Sequence, residues 1–264
     1  MAFDLNNFVI DRIVRGVALS QKDDSVLFSI NQIQNASLNC ASESTDAVDA
    51  LGTPIATFYR AKSAEFSAEN ALFDMQLMAT QLGTKKKVAS ANAKITVPAM
   101  ETFEVEASKE YTLKHLPKVV PAEIYALNGD STFGVKYTKG TAAADGIFAI
   151  DAATGKISLP SDVVVGTEMF VMYEYETENA VEVVNSATEF PVGCKFVMEV
   201  LGCDVCDQTN LIYAYVIFNN FKLSPDFDWS IATDGAHPFS GRAQQDYCDK
   251  EKRLFSIVIP GDEE

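Results

Sequence analysis

Histidine is nearly absent from this chain, with two in 264 residues, His115 and His237. Tryptophan occurs once and cysteine five times. No Gly-flanked serine stands near either histidine, so a nucleophile–base pair has no footing. A P-loop and a dinucleotide fingerprint are also missing. No run approaches the ~20 apolar residues that a membrane span needs, so no membrane partner is expected. The start, Met1-Ala-Phe-Asp-Leu-Asn-Asn7, lacks the basic and apolar regions of a signal peptide, and synthesis in the cytoplasm is the expectation. Positive charge is scarce as well. Lys+Arg number 21 against 37 Asp+Glu, a net charge of −16. That balance argues against a grip on nucleic acid, which needs clustered cations to neutralise phosphates. These absences remove most catalytic classes and leave an acidic building block as the first reading.

The cysteines are Cys40, Cys194, Cys203, Cys206 and Cys248. Their odd, sparse count is unlike a secreted disulfide framework, so reduced thiols are expected. Cys203-Asp-Val-Cys206 could hold two corners of a tetrahedral zinc site. Cys248, Cys194 or His237 would have to complete it, because no second closely spaced pair exists. The alternatives are a redox pair and plain structural thiols. No helix pattern follows Cys206, as a thioredoxin-like redox pair would require. No catalytic residue and no cofactor are expected. The metal alternative is zinc on Cys203, Cys206, Cys248 and His237, and His237 otherwise reads as a hydrogen-bonding turn residue. Acids such as Glu174, Glu176 and Glu178 share one face of an extended strand and read as an edge guarded by charge.

What is present is strand. The segment Ser25–Ile33 alternates roughly as strand, with Val26, Phe28 and Ile30 on one face and Leu27, Ser29 and Asn31 on the other. Residues 34–54, rich in Ser, Thr, Asn and Asp, read as a long loop. Ile55–Ala64 returns to strand. A helix is expected over 67–82, capped by Ser67 and ended by Gly83, with an apolar face that must pack on a sheet. Lys85-Lys86-Lys87 suits its C-terminus. Two strands follow in 88–116, and the prolines at 117 and 121 mark a domain edge. From 119 to 184, turn signals every ~8–12 residues suggest a small β-sandwich, an insertion carried by its host. Beyond it, Cys194–Leu201 and Leu211–Asn219 read as a hairpin with a long loop, and Leu254–Ile259 as a last strand. The fold class is therefore mainly β, with sandwich- or barrel-forming sheets and one amphipathic α-helix.

Two stretches carry a resemblance. Gly52-Thr-Pro-Ile-Ala-Thr-Phe-Tyr-Arg-Ala-Lys-Ser-Ala-Glu-Phe-Ser-Ala-Glu-Asn-Ala-Leu-Phe-Asp-Met75 runs a strand into a helix that lies across a sheet. This resembles the tail tube proteins of tailed bacteriophages. Gly146-Ile-Phe-Ala-Ile-Asp151, Gly155-Lys-Ile-Ser-Leu-Pro160, Gly166-Thr167 and Val171-Met-Tyr-Glu-Tyr175 are similar to immunoglobulin-like insertions in phage structural proteins. The resemblance implies a tube core formed by 1–118 and 185–264, interrupted by an immunoglobulin-like domain at 119–184. It implies sixfold rings that stack into a conduit for DNA. The partners would be further copies of the chain, other tail proteins and, in a contractile tail, a sheath. The segment 34–54 would be an arm to the next ring. The Cys203–Cys206 loop lies outside that pattern. Competing expectations are a capsid decoration or neck protein with an immunoglobulin-like domain, and a zinc-dependent binding module.

Overall fold

The computed structural model describes residues 7–247 and 250–261. Among these residues the chain is mainly β, with one helix. The chain divides into two compact units, Met1–Lys86 with Val183–Glu264, and Lys87–Glu182.

The first unit opens with β1 (Phe8–Ser20), β2 (Val26–Ile30), β3 (Ile33–Val48), β4 (Pro54–Asn70) and helix α1 (Met75–Gln81). The second unit holds β5 (Lys87–Val88), β6 (Ile95–Glu104), β7 (Glu110–Thr112), β8 (Glu123–Leu127) and β9 (Phe133–Gly140). It continues with β10 (Ile147–Asp151), β11 (Lys156–Ser158), β12 (Glu168–Thr177) and β13 (Val181–Glu182). The chain then returns to the first unit with β14 (Gly193–Asp204), β15 (Asp207–Leu223), β16 (His237–Ala243) and β17 (Ser256–Val258).

The sheet of the first unit runs β2-β1-β14-β15-β16-β4-β3, with β17 beside β15. Alternation fixes its strands. In β14 the side chains of Cys194, Phe196, Met198 and Val200 are buried, while Lys195, Val197 and Glu199 are partly exposed. The core gathers Phe28, Phe66, Phe196, Phe218, Phe221 and Phe239. The Phe66 ring meets four of the others at centroid distances of 5.8 to 6.4 Å, mostly tilted, as ring quadrupoles prefer. Leu77 of α1 joins this cluster.

The helix is shorter than the sequence suggested. Ser67 lies within β4, because Phe66, Ala68 and Asn70 continue its buried alternation. The cap is Asp74, whose Oδ1 accepts from the N–H groups of Gln76 at 2.8 Å and Leu77 at 2.7 Å. Gly83 ends the helix as expected, with φ 72°, and a Cβ there would fall 2.2 Å from the Phe190 backbone. Lys87 leaves the helix altogether and pairs with Glu182 at 3.1 Å.

Residues 34–54 are not a loop. They are mostly β3, in register with β4 from Ile33↔Asn70 to Val48↔Pro54. Their polar composition follows from having no buried face, and strand pairing does not require one. The long loop expected between the later strands is also absent, since β14 runs to Asp204 and β15 starts at Asp207. The opening strand, β1, has no counterpart in the sequence reading.

The second unit has a seven-stranded sheet in the order β6-β12-β8-β9-β10-β11-β7, around a core that includes Ile124, Phe148, Ile157, Met169 and Val171, and a separate two-stranded ladder of β5 with β13. Its end strands are tied by side chains. Phe103 of β6 stacks on Tyr111 of β7 at 3.7 Å. Buried Glu101 accepts from the Tyr111 hydroxyl at 2.7 Å, from the Tyr173 hydroxyl and from Lys114 N at 3.1 Å. Burial, with the bond to Glu101, pushes the Tyr111 pKa up to about 12. The insertion starts at Lys87, not at 119, because β6 pairs with β12 over its whole length and cannot be separated from it. At Glu174 and Glu176, β12 pairs with β6, while β8 meets β12 only at Met169 and Phe170, so among the described residues the far side of this stretch carries just an isolated bridge from Val119 to Glu174. Glu176 and Glu178 pair with Lys118 at 2.9 Å and Lys94 at 3.3 Å.

Candidate assembly surfaces

Strand β4 has two halves. From Ala64 to Asn70 it lies between β3 and β16. From Pro54 to Ser63 its only strand partner among the described residues is β3. The outer half and its β3 partners form a ribbon of seven residue pairs, from Ala41↔Ser63 to Val48↔Pro54, ~26 Å long on the β3 side at about 3.3 Å per residue. Every residue from Asn39 to Ser63 is exposed. Leu51 at the tip is 92% exposed and Tyr59 70%, and Val48, Ile55 and Phe58 are exposed too. Phe58 and Tyr59 are consecutive, so each face of the ribbon carries an aromatic. A two-stranded ribbon wet on both faces is marginal by itself.

The ribbon is bent where it leaves the body. The register slips between Ala41↔Ser63 and Glu43↔Arg60, and Ala61 in the bulge takes a left-handed φ of 50°. A second slip, between Gln34 and Ser37, holds Asn35 at φ 53°. Asparagine tolerates that conformation and alanine does not, so Ala61 stores on the order of 1 kcal/mol.

A second surface is made by the ends of β1, β14 and β15. Residues 8–15 of β1 pair only with β14, and residues 208–214 of β15 have no described strand on the side away from β14. Val9, Ile10, Val205, Leu211 and Tyr213 are exposed there. Open backbone edges with apolar side chains are templates for another strand.

The expected zinc residues are not brought together. Cys203 pairs with Leu211 near the end of the β14–β15 hairpin, and exposed Cys206 sits in its turn, donating N–H to Asp204 Oδ1 at 2.8 Å. His237 lies far along the sheet. Twelve residues of β15 separate Leu211 from Leu223, which pairs with Gly241, and His237 is four residues further (223−211=12, 241−237=4), on the order of 50 Å along the strands. Cys248 lies outside the described residues. Cys194 is buried with its thiol on the Phe221 carbonyl at 3.3 Å, and burial pushes its pKa up to about 12, so it is inert. Among the described residues no cluster of three or more His, Cys, Asp or Glu is arranged to hold a metal.

His237 is a core residue and not a turn residue. Its Nδ1 accepts from Asp74 N at 3.3 Å, and its Nε2 meets Gln81 Oε1 at 2.8 Å. Gln81 Nε2 in turn donates to the Pro238 carbonyl at 3.2 Å. The ring stacks on Phe73 at 5.3 Å, and Phe73 stacks on Trp229 at 4.4 Å. Burial lowers the His237 pKa, opposed by the nearby Asp74 carboxylate. Sequence reasoning missed this cluster. The one available signal was Asp74 ahead of Gln76-Leu77, a better cap than Ser67.

No curated protein matches the chain. The family model of the YomU/Tube proteins does, over residues 8–255, which takes in both units and both candidate surfaces. The chain belongs to the YomU/Tube protein family and is a phage tube-like protein.

Proposed function

We propose that the chain is a tail tube subunit of a phage virion, a structural component and not an enzyme. Its copies join edge to edge into closed rings, the sixfold rings that the tail tube resemblance implies, and the rings stack into a conduit for the genome. The observation that carries this reading is the ribbon of residues 41–63. It is long, exposed on both faces and rich in apolar side chains, and a neighbouring copy would cover it. Ring closure would also complete the open edges of β1 and β15. The net charge of −16 suits a bore that DNA passes without sticking. Two arginines of the sheet are already neutralised, Arg15 by Glu199 at 2.6 Å and Arg242 by Glu65 at 2.8 Å. The second unit, Lys87–Glu182, fits the part of an immunoglobulin-like decoration, or of a contact for a sheath.

Electron microscopy of the purified chain tests the proposal. The intact protein should form rings or tubes. Replacing residues 43–60 with a short turn should leave a folded subunit that no longer assembles. Replacing Lys87–Glu182 with a short linker should spare assembly. Unchanged tube growth without the ribbon would overturn the reading.

A further inference from the structure

The buried polar cluster under helix α1 has a protonation state fixed by its neighbours. The Asp74 N–H donates to His237 Nδ1, so that nitrogen carries no proton. The Gln81 amide is oriented by its own bond to the Pro238 carbonyl, which turns Oε1 toward the ring, so Nε2 carries the proton. His237 is therefore a neutral imidazole with its single proton on Nε2. The ring is fully buried and joins three elements, namely the start of β16, the cap of α1 and the segment carrying Phe227 and Trp229.

We propose that His237 is an acid-sensitive latch that holds helix α1 and Trp229 against the first unit. A second proton can go only to Nδ1. There it points an N–H at the N–H of Asp74, so a hydrogen bond becomes a repulsion between donors, inside a site that disfavours charge. The helix start and the Phe73–Trp229 stack then detach, and the ring charges in water. The charged group beside the ring is the Asp74 carboxylate, which resists this, but its Oδ1 is engaged in capping the helix. β4 places neutral Asn70 opposite His237 and Glu69 opposite Pro238. The segment after β15 carries Asp226, Asp228 and Asp234. The hydrogen bonds described for the ring go to Asp74 N and Gln81, not to a carboxylate.

The sign follows from linkage. The folded pKa is lowered, so the latch is fully closed above the ordinary histidine value of about 6.5 and weakens as pH falls below it. Each pH unit below that value shifts the equilibrium about tenfold toward the open form, until the buried ring itself protonates.

Trp229 is the only tryptophan and sits on the latch, so its emission reads the state directly. Titrating the full chain from about pH 8 to about pH 5 should give a reversible emission change with its midpoint below the ordinary histidine value, and His237→Gln should abolish it. Emission that stays constant in the intact protein, or a transition that survives in His237→Gln, would overturn the proposal. Nitrogen NMR of the two histidines needs no variant. At neutral pH it should show one imidazole with a bare Nδ1 and a protonated Nε2 that resists acidification longer than an ordinary histidine. A proton on Nδ1 of His237 would refute the latch even if the variant fails to fold.

Discussion

The two halves of β4 are one strand with opposite fates. Ala64, Phe66, Ala68 and Asn70 are buried, whereas Pro54 to Ser63 are exposed on both faces. The sequence shows why. The inner half alternates buried residues with Glu65, Ser67 and Glu69. The outer half places Ile55, Phe58 and Tyr59 beside Arg60 and Lys62 with no consistent apolar face. The inner half is specified by its own unit. The outer half is a strand by pairing alone, and its apolar residues remain in search of a cover.

Substitutions can break that comparison. The largest stability effect belongs to the inner half. Phe66→Ala should cost about 3–5 kcal/mol, read as a lower denaturation midpoint, because its ring touches four others. Loss of the helix cap should be smaller, with Asp74→Ala costing about 1 kcal/mol in the same assay. In the outer half, Phe58→Ser with Tyr59→Ser should leave subunit stability within about 0.5 kcal/mol. The same pair should raise the concentration needed for assembly about tenfold or more, by sedimentation, since it removes the apolar area a neighbour would bury. A large stability loss there would mean the ribbon is held within its own subunit. The smallest effect is expected at the bend, where Ala61→Gly relieves a left-handed φ but adds chain entropy, a net change under about 1 kcal/mol.

The fold class was legible because period-two alternation survives wherever a strand has one buried face, as in β14. The same signal failed at both extremes. Residues 34–54 bury nothing, so their strand looked like a loop. At 67–82, Leu72, Met75, Ala79 and Leu82 fit a helical period, yet the buried alternation through Asn70 wins the first four positions for β4. The start of the second unit was hidden because β6 pairs with β12, more than sixty residues later, and local composition does not record that pairing. The prolines at 117 and 121 mark a loop within the unit, not its border. At the candidate sites, the acidic balance and the scarcity of histidine pointed away from chemistry. His237 was misread because its partners, Asp74 and Gln81, are 163 and 156 residues away.

The placement of the second unit has a consequence for the order in which the protein is made. Strand β1 finds its main partner in β14, and Arg15 and Glu199 are 184 residues apart. All of Lys87–Glu182 must leave the ribosome before that pairing can begin, and those residues close on themselves through the β5–β13 ladder. The inserted unit can therefore be finished first, while β1 to β4 wait with unpaired edges. A nascent chain stalled just after Glu182 should hold a protease-resistant fragment spanning the insertion, with the earlier strands still open to digestion.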